Sequence, residues 1–395
     1  MKKFWIVLGI VLLIAVSAGA GALVTYAKLN LMFAEQLSEV YDSKVTAKTA
    51  EVQEYLDTYF VGEAEESVLA DAAASAMVDA IQDEWSYYIP AESYDLYLEQ
   101  MYNEYVGIGV IITQTAEMDT LTVQEVTPGS PAEEAGVLVF DEIIAVDGES
   151  VDGLDINAVR DLVRGESGTF VNLTVLRGEE TLSLDVERRL VEAVVASGKM
   201  LEDNIGYISI TNFDLKCAEQ TIAAIESLVN QGAETLIFDV RNNPGGYKTE
   251  LVKVLDYLLP EGELFRMVSS TGEEMVDRSG PTYLDIPMAV LVNLDSYSAA
   301  EFFAAALQEY DAAEIVGART YGKGYYQLTY NLSDGSAIVL SSGTYYTPNG
   351  VSLAGVGITP DVELDLDPED VMELYYHRLD PELDEQLQAA LALFR

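Results

Sequence analysis

Two short apolar runs set the strongest limit on what this chain can fold into. The runs from Thr235 to Val240 and from Met288 to Asn293 read as buried strands. A strand covered on both faces needs packed layers above and below it. Each run is followed by a loop and then a helical pattern, from Lys248 to Leu259 after the first and from Ala299 to Tyr310 after the second. Further strands at Ile205 to Ile210, Glu314 to Val316, Gln327 to Asn331 and Ala337 to Ser341, and a helix at Cys217 to Val229, complete the region. Strands alternating with helices imply an α/β layer with helices on a sheet, within a mixed α+β chain.

The rest of the 395 residues divides by pattern. Residues 29–103 read as helical, with apolar residues recurring at Val45, Val52, Tyr55 and Tyr59, then at Val68, Ala72, Val78 and Ile81, and a break at Gly62. The aromatic run Trp85 to Ile89 reads as core, ahead of a helix end or turn at Pro90. Residues 104–190 change to short strands and turns. A short helix opens at Pro131 and closes at Gly136, an amphipathic helix runs from Ile156 to Val163, and a hairpin turns at Gly178. Residues 191–367 carry the α/β pattern. The tail, 368–395, holds an amphipathic helix from Leu383 to Phe394.

Charge and rare residues exclude several functions. With 21 Lys and Arg against 67 Asp and Glu, the net charge is −46, the wrong sign for nucleic-acid binding. A single cysteine, Cys217, and a single histidine, His377, leave no disulfide and no Cys-rich or His-rich metal centre. A Ser-His-Asp triad could use no histidine but His377, which reads as a bystander near the C-terminus. The acidic alternation from Asp361 to Asp367 lacks calcium-loop spacing and reads as a solvated strand face. The stretch from Gly317 to Gly324 fails as a phosphate loop, because Gly324 stands where Ser or Thr must bind magnesium. No metal and no cofactor is implied.

Lys2 and Lys3 precede an uncharged apolar run from Phe4 to Ala27. About 20 apolar residues span a bilayer. Residues 1–28 therefore read as a transmembrane signal-anchor. The lysines stay in the cytoplasm, and the remainder lies outside a cell membrane crossed once. The competing reading is a cleaved signal peptide ending near Ala18-Gly19-Ala20, which would release a secreted protein; the run is longer than an ordinary signal core.

Three loops at strand ends carry the chemistry: Asp239-Val240-Arg241-Asn242-Asn243-Pro244-Gly245-Gly246, Ser296-Tyr297-Ser298-Ala299-Ala300-Glu301, and Gly322-Lys323-Gly324-Tyr325-Tyr326-Gln327. Ligands of open α/β sheets sit at such ends. Taken singly, Ser296 and Ser298 read as helix caps, and Asn-Pro-Gly-Gly as a tight turn. Lys323 between two glycines changes that reading. A desolvated lysine favours its neutral amine, which can take a proton from a serine hydroxyl. The N–H of Ala299 and the N–H groups of the Gly245–Gly246 turn are candidate oxyanion donors.

Two resemblances follow from these residues. Gly107-Ile108-Gly109-Val110, Ser130-Pro131-Ala132-Glu133-Glu134-Ala135-Gly136 and Asp141-Glu142-Ile143-Ile144-Ala145-Val146-Asp147-Gly148 resemble a PDZ domain. A glycine loop of that kind can bind a peptide carboxylate, with a strand edge pairing the peptide backbone and Ile108 and Val110 bordering a pocket. Val139-Phe140 departs from the family's usual Pro-Gly. The three chemical loops resemble those of the C-terminal processing peptidases, or tail-specific proteases. That resemblance implies a ClpP/crotonase-like core with an inserted PDZ domain, Ser298 as nucleophile, Lys323 as general base and Gln327 orienting the lysine. Tyr297 and Ala300 depart from the family's Ala and Ser. It further implies an exported serine endopeptidase acting near the C-termini of protein or peptide substrates with free C-termini, and a homodimer formed through the N-terminal helical segment and C-terminal helix. The alternative is an exported PDZ scaffold with an inactive core.

Overall fold

The computed structural model describes residues 43–102, 104–115, 118–376 and 378–395. The apolar run from Phe4 to Ala27 and His377 lie outside the described residues. Among the described residues, no helix is long and apolar enough to cross a membrane. The chain forms two compact units, 1–82 and 83–395. In the first, helices Lys44–Tyr59 and Glu66–Asp79 stand on either side of Gly62. Ser43 caps the first, its hydroxyl accepting the Thr46 N–H at 3.0 Å.

The second unit is organised by a six-stranded sheet in the order Ala196–Met200, Ile205–Ile210, Thr235–Asp239, Met288–Val292, Ala313–Gly317, Val362–Glu363. The first pair is antiparallel and the rest are parallel. The two-residue period of the strands sorts their side chains into two cores. Leu236 and Phe238, Met288, Val290 and Val292, and Ile315 face helices Cys217–Asn230, Lys248–Leu258 and Ala299–Glu309. Ile237, Ala289, Leu291 and Val316 face the opposite way, onto Leu387, Ala390 and Leu391 of helix Glu385–Ala392. The C-terminal helix is therefore the second covering layer of the sheet. Leu387, Ala390 and Leu391 are the residues it buries there.

A second, antiparallel sheet holds Tyr87–Ile89, Ala337–Tyr346, Glu263–Ser269 and Glu274–Arg278, with Tyr325–Asn331 paired to Ala337–Tyr346. Two elements here differ from the sequence reading. Residues 87–89 form a strand rather than a helix end. The hairpin from Glu263 to Arg278 went unread, because its charged residues interrupt any apolar pattern. A third sheet, Val110–Thr115, Met118–Val126, Glu142–Val146, Phe170–Arg177 and Glu180–Glu187 in that order, encloses its own apolar core. Strand Glu104–Gly107 pairs with Arg189–Glu192, so the chain enters and leaves this domain side by side.

The C-terminal layer is locked by a buried charge. Arg241 donates to Asp239 at 2.6 Å, to Asp384 at 2.8 Å and to Gln386 at 3.1 Å. Asp384 also caps the C-terminal helix through the Leu387 N–H. Removing one partner of a buried pair costs about 3 kcal/mol, because the other charge stays buried. Asp384→Ala is accordingly expected to lower unfolding free energy by about that amount and to expose residues 368–395 to limited proteolysis. A loss near zero in chemical denaturation would show that the helix is held by its apolar side alone.

Candidate active site

Ser298 stands between strand Met288–Val292 and helix Ala299–Glu309, whose residues 299–307 are all buried. Its backbone lies at φ 57°, ψ −120°, a conformation that costs a non-glycine residue about 1–3 kcal/mol. It occupies the N-cap position but caps nothing. Ser296 is different. It is fully buried, donates to the Val240 carbonyl at 2.7 Å and accepts the Asn293 N–H at 3.0 Å. Ser296 is a loop brace, and Ser298 is the strained, uncommitted member of the pair.

The glycine loop is pressed against Ser298. A Cβ on Gly245 would lie 2.7 Å from the Ser298 Cβ and 2.8 Å from the Ala299 nitrogen, and the φ of Gly245 is +95°. Side-chain amides hold this approach. Asn242 and Asn293 are reciprocally bonded at 2.9 and 2.7 Å, and Asn243 donates to the Ile210 carbonyl at 2.7 Å. The Asn243 carbonyl oxygen of the side chain accepts the Gly245 N–H at 2.8 Å. Gly245 is thus engaged as a donor, which corrects its place among the oxyanion candidates. Gly246 bridges Phe213 through the Gly245 carbonyl and the Tyr247 N–H, leaving its own N–H outside that ladder. The Ala299 N–H sits beside the loop.

Lys323 is presented by a loop whose glycines admit no substitute. Cβ atoms on Gly322 and Gly324 would fall 2.8 Å from the Gly357 nitrogen and 2.3 Å from the Ala354 nitrogen. The fully buried Glu301 fastens this loop to the helix behind Ser298. Its carboxylate accepts the Thr320 hydroxyl at 2.5 Å, the Gly322 N–H at 2.6 Å and the Lys323 N–H at 3.1 Å. Desolvation still pushes the Glu301 carboxyl above its ordinary range, against those donors. Tyr345 holds the same loop: its hydroxyl accepts the Gly324 N–H at 3.0 Å.

Burial pushes the Lys323 amine down to about 8; Asp83, Glu84 and Glu301 pull the other way. The amine lies 4.1 Å from the centre of the Trp85 ring. Gln327, expected to orient it, donates instead to the Ser341 hydroxyl at 3.1 Å and the Tyr325 carbonyl at 3.2 Å. Sequence reasoning placed Ser298, Ala299, Gly245, Gly246 and Lys323 in one site, and the fold brings them together. It missed Glu301, although Ser298 and Glu301 have N-cap to N3 spacing. It missed Tyr345 and Trp85, which reach the site through sheet pairing and leave no local signal.

In the domain at 104–190, Gly109 carries φ +82° and packs on Ser130, and its carbonyl accepts the Thr127 N–H at 2.9 Å. Strand Val110–Thr115 is the last in its sheet, so its outer edge is unpaired within that sheet. Ile108 is buried in the domain core, while Val110 is half-buried beside that edge. Among the described residues, no group of three or more His, Cys, Asp or Glu is placed to hold a metal.

The sequence matches the family model for peptidase family S41 over residues 204–364 and that for a PDZ domain over residues 122–177. It is 30% identical over 370 residues to the carboxy-terminal processing protease CtpA of Bacillus subtilis, covering 93% of this chain and 78% of that protein. A CtpA-like serine protease of Staphylococcus aureus is 30% identical over 322 residues, which is 80% of this chain and 64% of that protein. The chain thus spans slightly less than two thirds of this second relative. A solved S41 protease structure from Bacteroides fragilis has a TM-score of 0.53 at 16% identity, over 81% of this chain and 89% of that one, a likeness of fold.

The strain at Ser298 is measurable. Ser298→Gly relieves it, whereas Ser298→Ala retains it; glycine gives back part of the gain through its freer unfolded chain. The glycine variant is expected to be more stable than the alanine variant by about 1 kcal/mol in urea unfolding. Equal stability would mean that the φ of Ser298 carries no strain.

Proposed function

The chain belongs to the carboxy-terminal processing proteases of peptidase family S41, and from that membership we propose a Ser298–Lys323 dyad acting outside the cytoplasm. As a serine-type peptidase, it needs a nucleophile, a base and an oxyanion site. The observation that carries the dyad is Glu301, which lies three residues after Ser298 in the first turn of its helix and whose buried carboxylate accepts the Lys323 backbone N–H. Neutral Lys323 takes the Ser298 proton as the serine oxygen bonds to the scissile carbonyl carbon. The resulting ammonium returns that proton to the leaving amine as the C–N bond breaks. Water then releases the acyl-enzyme by the same route. The Ala299 and Gly246 N–H groups serve the oxyanion.

The substrates are proteins or peptides with free C-termini, and cleavage falls near that end. The PDZ domain captures the terminus by adding it as a strand to the edge of Val110–Thr115, with the carboxylate at the Gly107–Gly109 loop. The segment Phe4 to Ala27 anchors the protein in the cell membrane. The exposed Val45, Val52, Tyr55 and Tyr59 of helix Lys44–Tyr59 support a homodimer built on that helix.

Lys323 works as a base in its neutral form, so kcat/KM should rise with pH and level off above about 8. Ser298→Ala and Lys323→Ala should each remove most cleavage, and the double variant should be little worse, since the two act as a unit. The stability sign follows from protons bound. Between about 8 and the ordinary 10.5, the unfolded chain holds a proton on Lys323 that the folded chain has lost. Stability therefore rises with pH across that window, relative to Lys323→Met. A flat rate profile with chemistry rate-limiting would remove Lys323 as the base.

The PDZ reading has its own test. A peptide ending in a free carboxylate should bind the Ser298→Ala protein at least about tenfold more tightly than its C-terminal amide, the scale of one charge-assisted anchor. Equal affinities in a titration would rule out the glycine loop as a carboxylate site.

A further inference from the structure

Residues 83–89 lie well before the peptidase match at 204–364, yet they are built into the catalytic end of the core. Strand Tyr87–Ile89 pairs antiparallel with Ala337–Val339 of the strand that also carries Ser341 and Tyr345. The Ser86 hydroxyl accepts the Ser341 N–H at 3.0 Å and donates to Asp83 at 2.5 Å. The Ser341 hydroxyl accepts from Gln327 at 3.1 Å. This pins the turn between residues 83 and 86 and aims Trp85 at the lysine.

Two aromatic rings then close on one amine, and a third packs against them. Lys323 Nζ is 4.1 Å from the Trp85 ring centre and 5.9 Å from that of Tyr297. Trp85 lies 5.4 Å from Tyr297 and 5.4 Å, edge-on, from Tyr321; Tyr297 and Tyr321 are 5.8 Å apart. The Tyr321 hydroxyl donates to Glu84 at 2.8 Å, which closes the cluster back onto the same segment. Tyr297 is the residue that departs from the family's small alanine, and here it supplies one wall.

We propose that Trp85 is a positioning residue for the general base: with Tyr297 and Tyr321 it forms an aromatic clamp that orients and dries the Lys323 amine, while Asp83 and Glu84 on the same segment oppose that drying. This rests on the reading of Lys323 as the base. The two halves act in opposite senses. A ring face attracts an ammonium, but it also excludes the water that would solvate it far better. Burial is the larger effect on the amine and lowers it. The charges facing the amine are Asp83 and Glu84 from the segment and Glu301 from the helix behind Ser298, and each favours the ammonium. The hydroxyls of Tyr297 and Tyr321 are held neutral well above neutrality: burial raises the first, and the bond to Glu84 raises the second.

The clamp predicts opposite displacements of one pH profile. In the full-length protein, kcat/KM on an unstructured peptide is measured from mild acid to alkaline pH. Trp85→Ala admits water to the amine, so the midpoint should move up by about one unit. That means a loss of about tenfold at neutral pH that is largely recovered in alkali. Trp85→Phe, which keeps a ring face, should move it less. Asp83→Asn removes a charge that favours the ammonium, so its midpoint should move down. A lowered plateau with an unmoved midpoint in Trp85→Ala would reduce Trp85 to packing and overturn the proposal. Should Trp85→Ala not fold, Asp83→Asn decides alone: a midpoint unmoved or moved up overturns the proposal. Lys323→Ala is run alongside. If that variant cleaves with an unchanged profile, the dyad itself is wrong, a failure separate from that of the clamp.

Discussion

One buried carboxylate determines whether this molecule has an active site. Glu301 sits in the first turn of helix Ala299–Glu309, where the unpaired N–H groups and the helix dipole favour a negative charge. Its carboxylate accepts from the Thr320 hydroxyl and from the Gly322 and Lys323 N–H groups. The helix that follows Ser298 and the loop that carries Lys323 are consequently joined through one side chain. Their separation is set by the reach of a single carboxylate rather than by the flexibility of two loops. Each donor it satisfies would otherwise be a buried polar group without a partner, at about 1–3 kcal/mol apiece.

The same logic recurs one strand away. Parallel strands end together, so their following loops converge, and what holds those loops apart or together is polar rather than apolar. Asn242 and Asn293 clasp two loops reciprocally, Asn243 folds the glycine turn onto itself, and Arg241 joins the first loop to the C-terminal layer through Asp384. Desolvation works against the Asp239 carboxylate, but Arg241 and the Tyr207 hydroxyl outweigh it and hold its titration below the usual range. The charge therefore persists at any pH where the enzyme would work. The C-terminal helix, remote in sequence, thereby bears on the geometry of residues 239–246.

Where the sequence was legible, local chemistry decided the structure. Pro131 and Gly136 bracket a helix of five residues because proline suits its first turn and a left-handed glycine ends it. Helix Ile156–Val163 follows from its apolar period, and strand Ile205–Ile210 from its length and branching. Ser298 and Lys323 stood out because glycine brackets the lysine and a serine run precedes a helix. What escaped was non-local. Strand Tyr87–Ile89 exists because Ala337–Val339 offers it an edge some 250 residues away in the chain, and no period within three residues can announce that. The Trp85 aromatics were read as core, and geometrically they are packed; their neighbour is a lysine rather than a leucine. Ile108, read as bordering a pocket, lies between strands Glu104–Gly107 and Val110–Thr115 and is buried in the domain core.

The site also shows where foldability gave way to chemistry. Ser298 occupies a backbone region that costs energy, Lys323 is an amine deprived of solvent, and Glu301 is an acid buried until its ionisation is hindered. Any one of these would count against a sequence designed for stability alone. They are tolerated because they attach to the most completely buried helix in the core, in which Phe302 and Phe303 pack on Phe265, Phe213 and Phe238. Aromatic pairs of this kind contribute about 0.5–1.5 kcal/mol each beyond the area they bury, enough in sum to offset the strain at one residue and the desolvation of another. Ser298 and Glu301 thus belong to the first turn of the same short helix that carries these aromatic anchors. A substitution at Phe302 or Phe303 would therefore reach the chemistry by loosening Ser298 and Glu301 together.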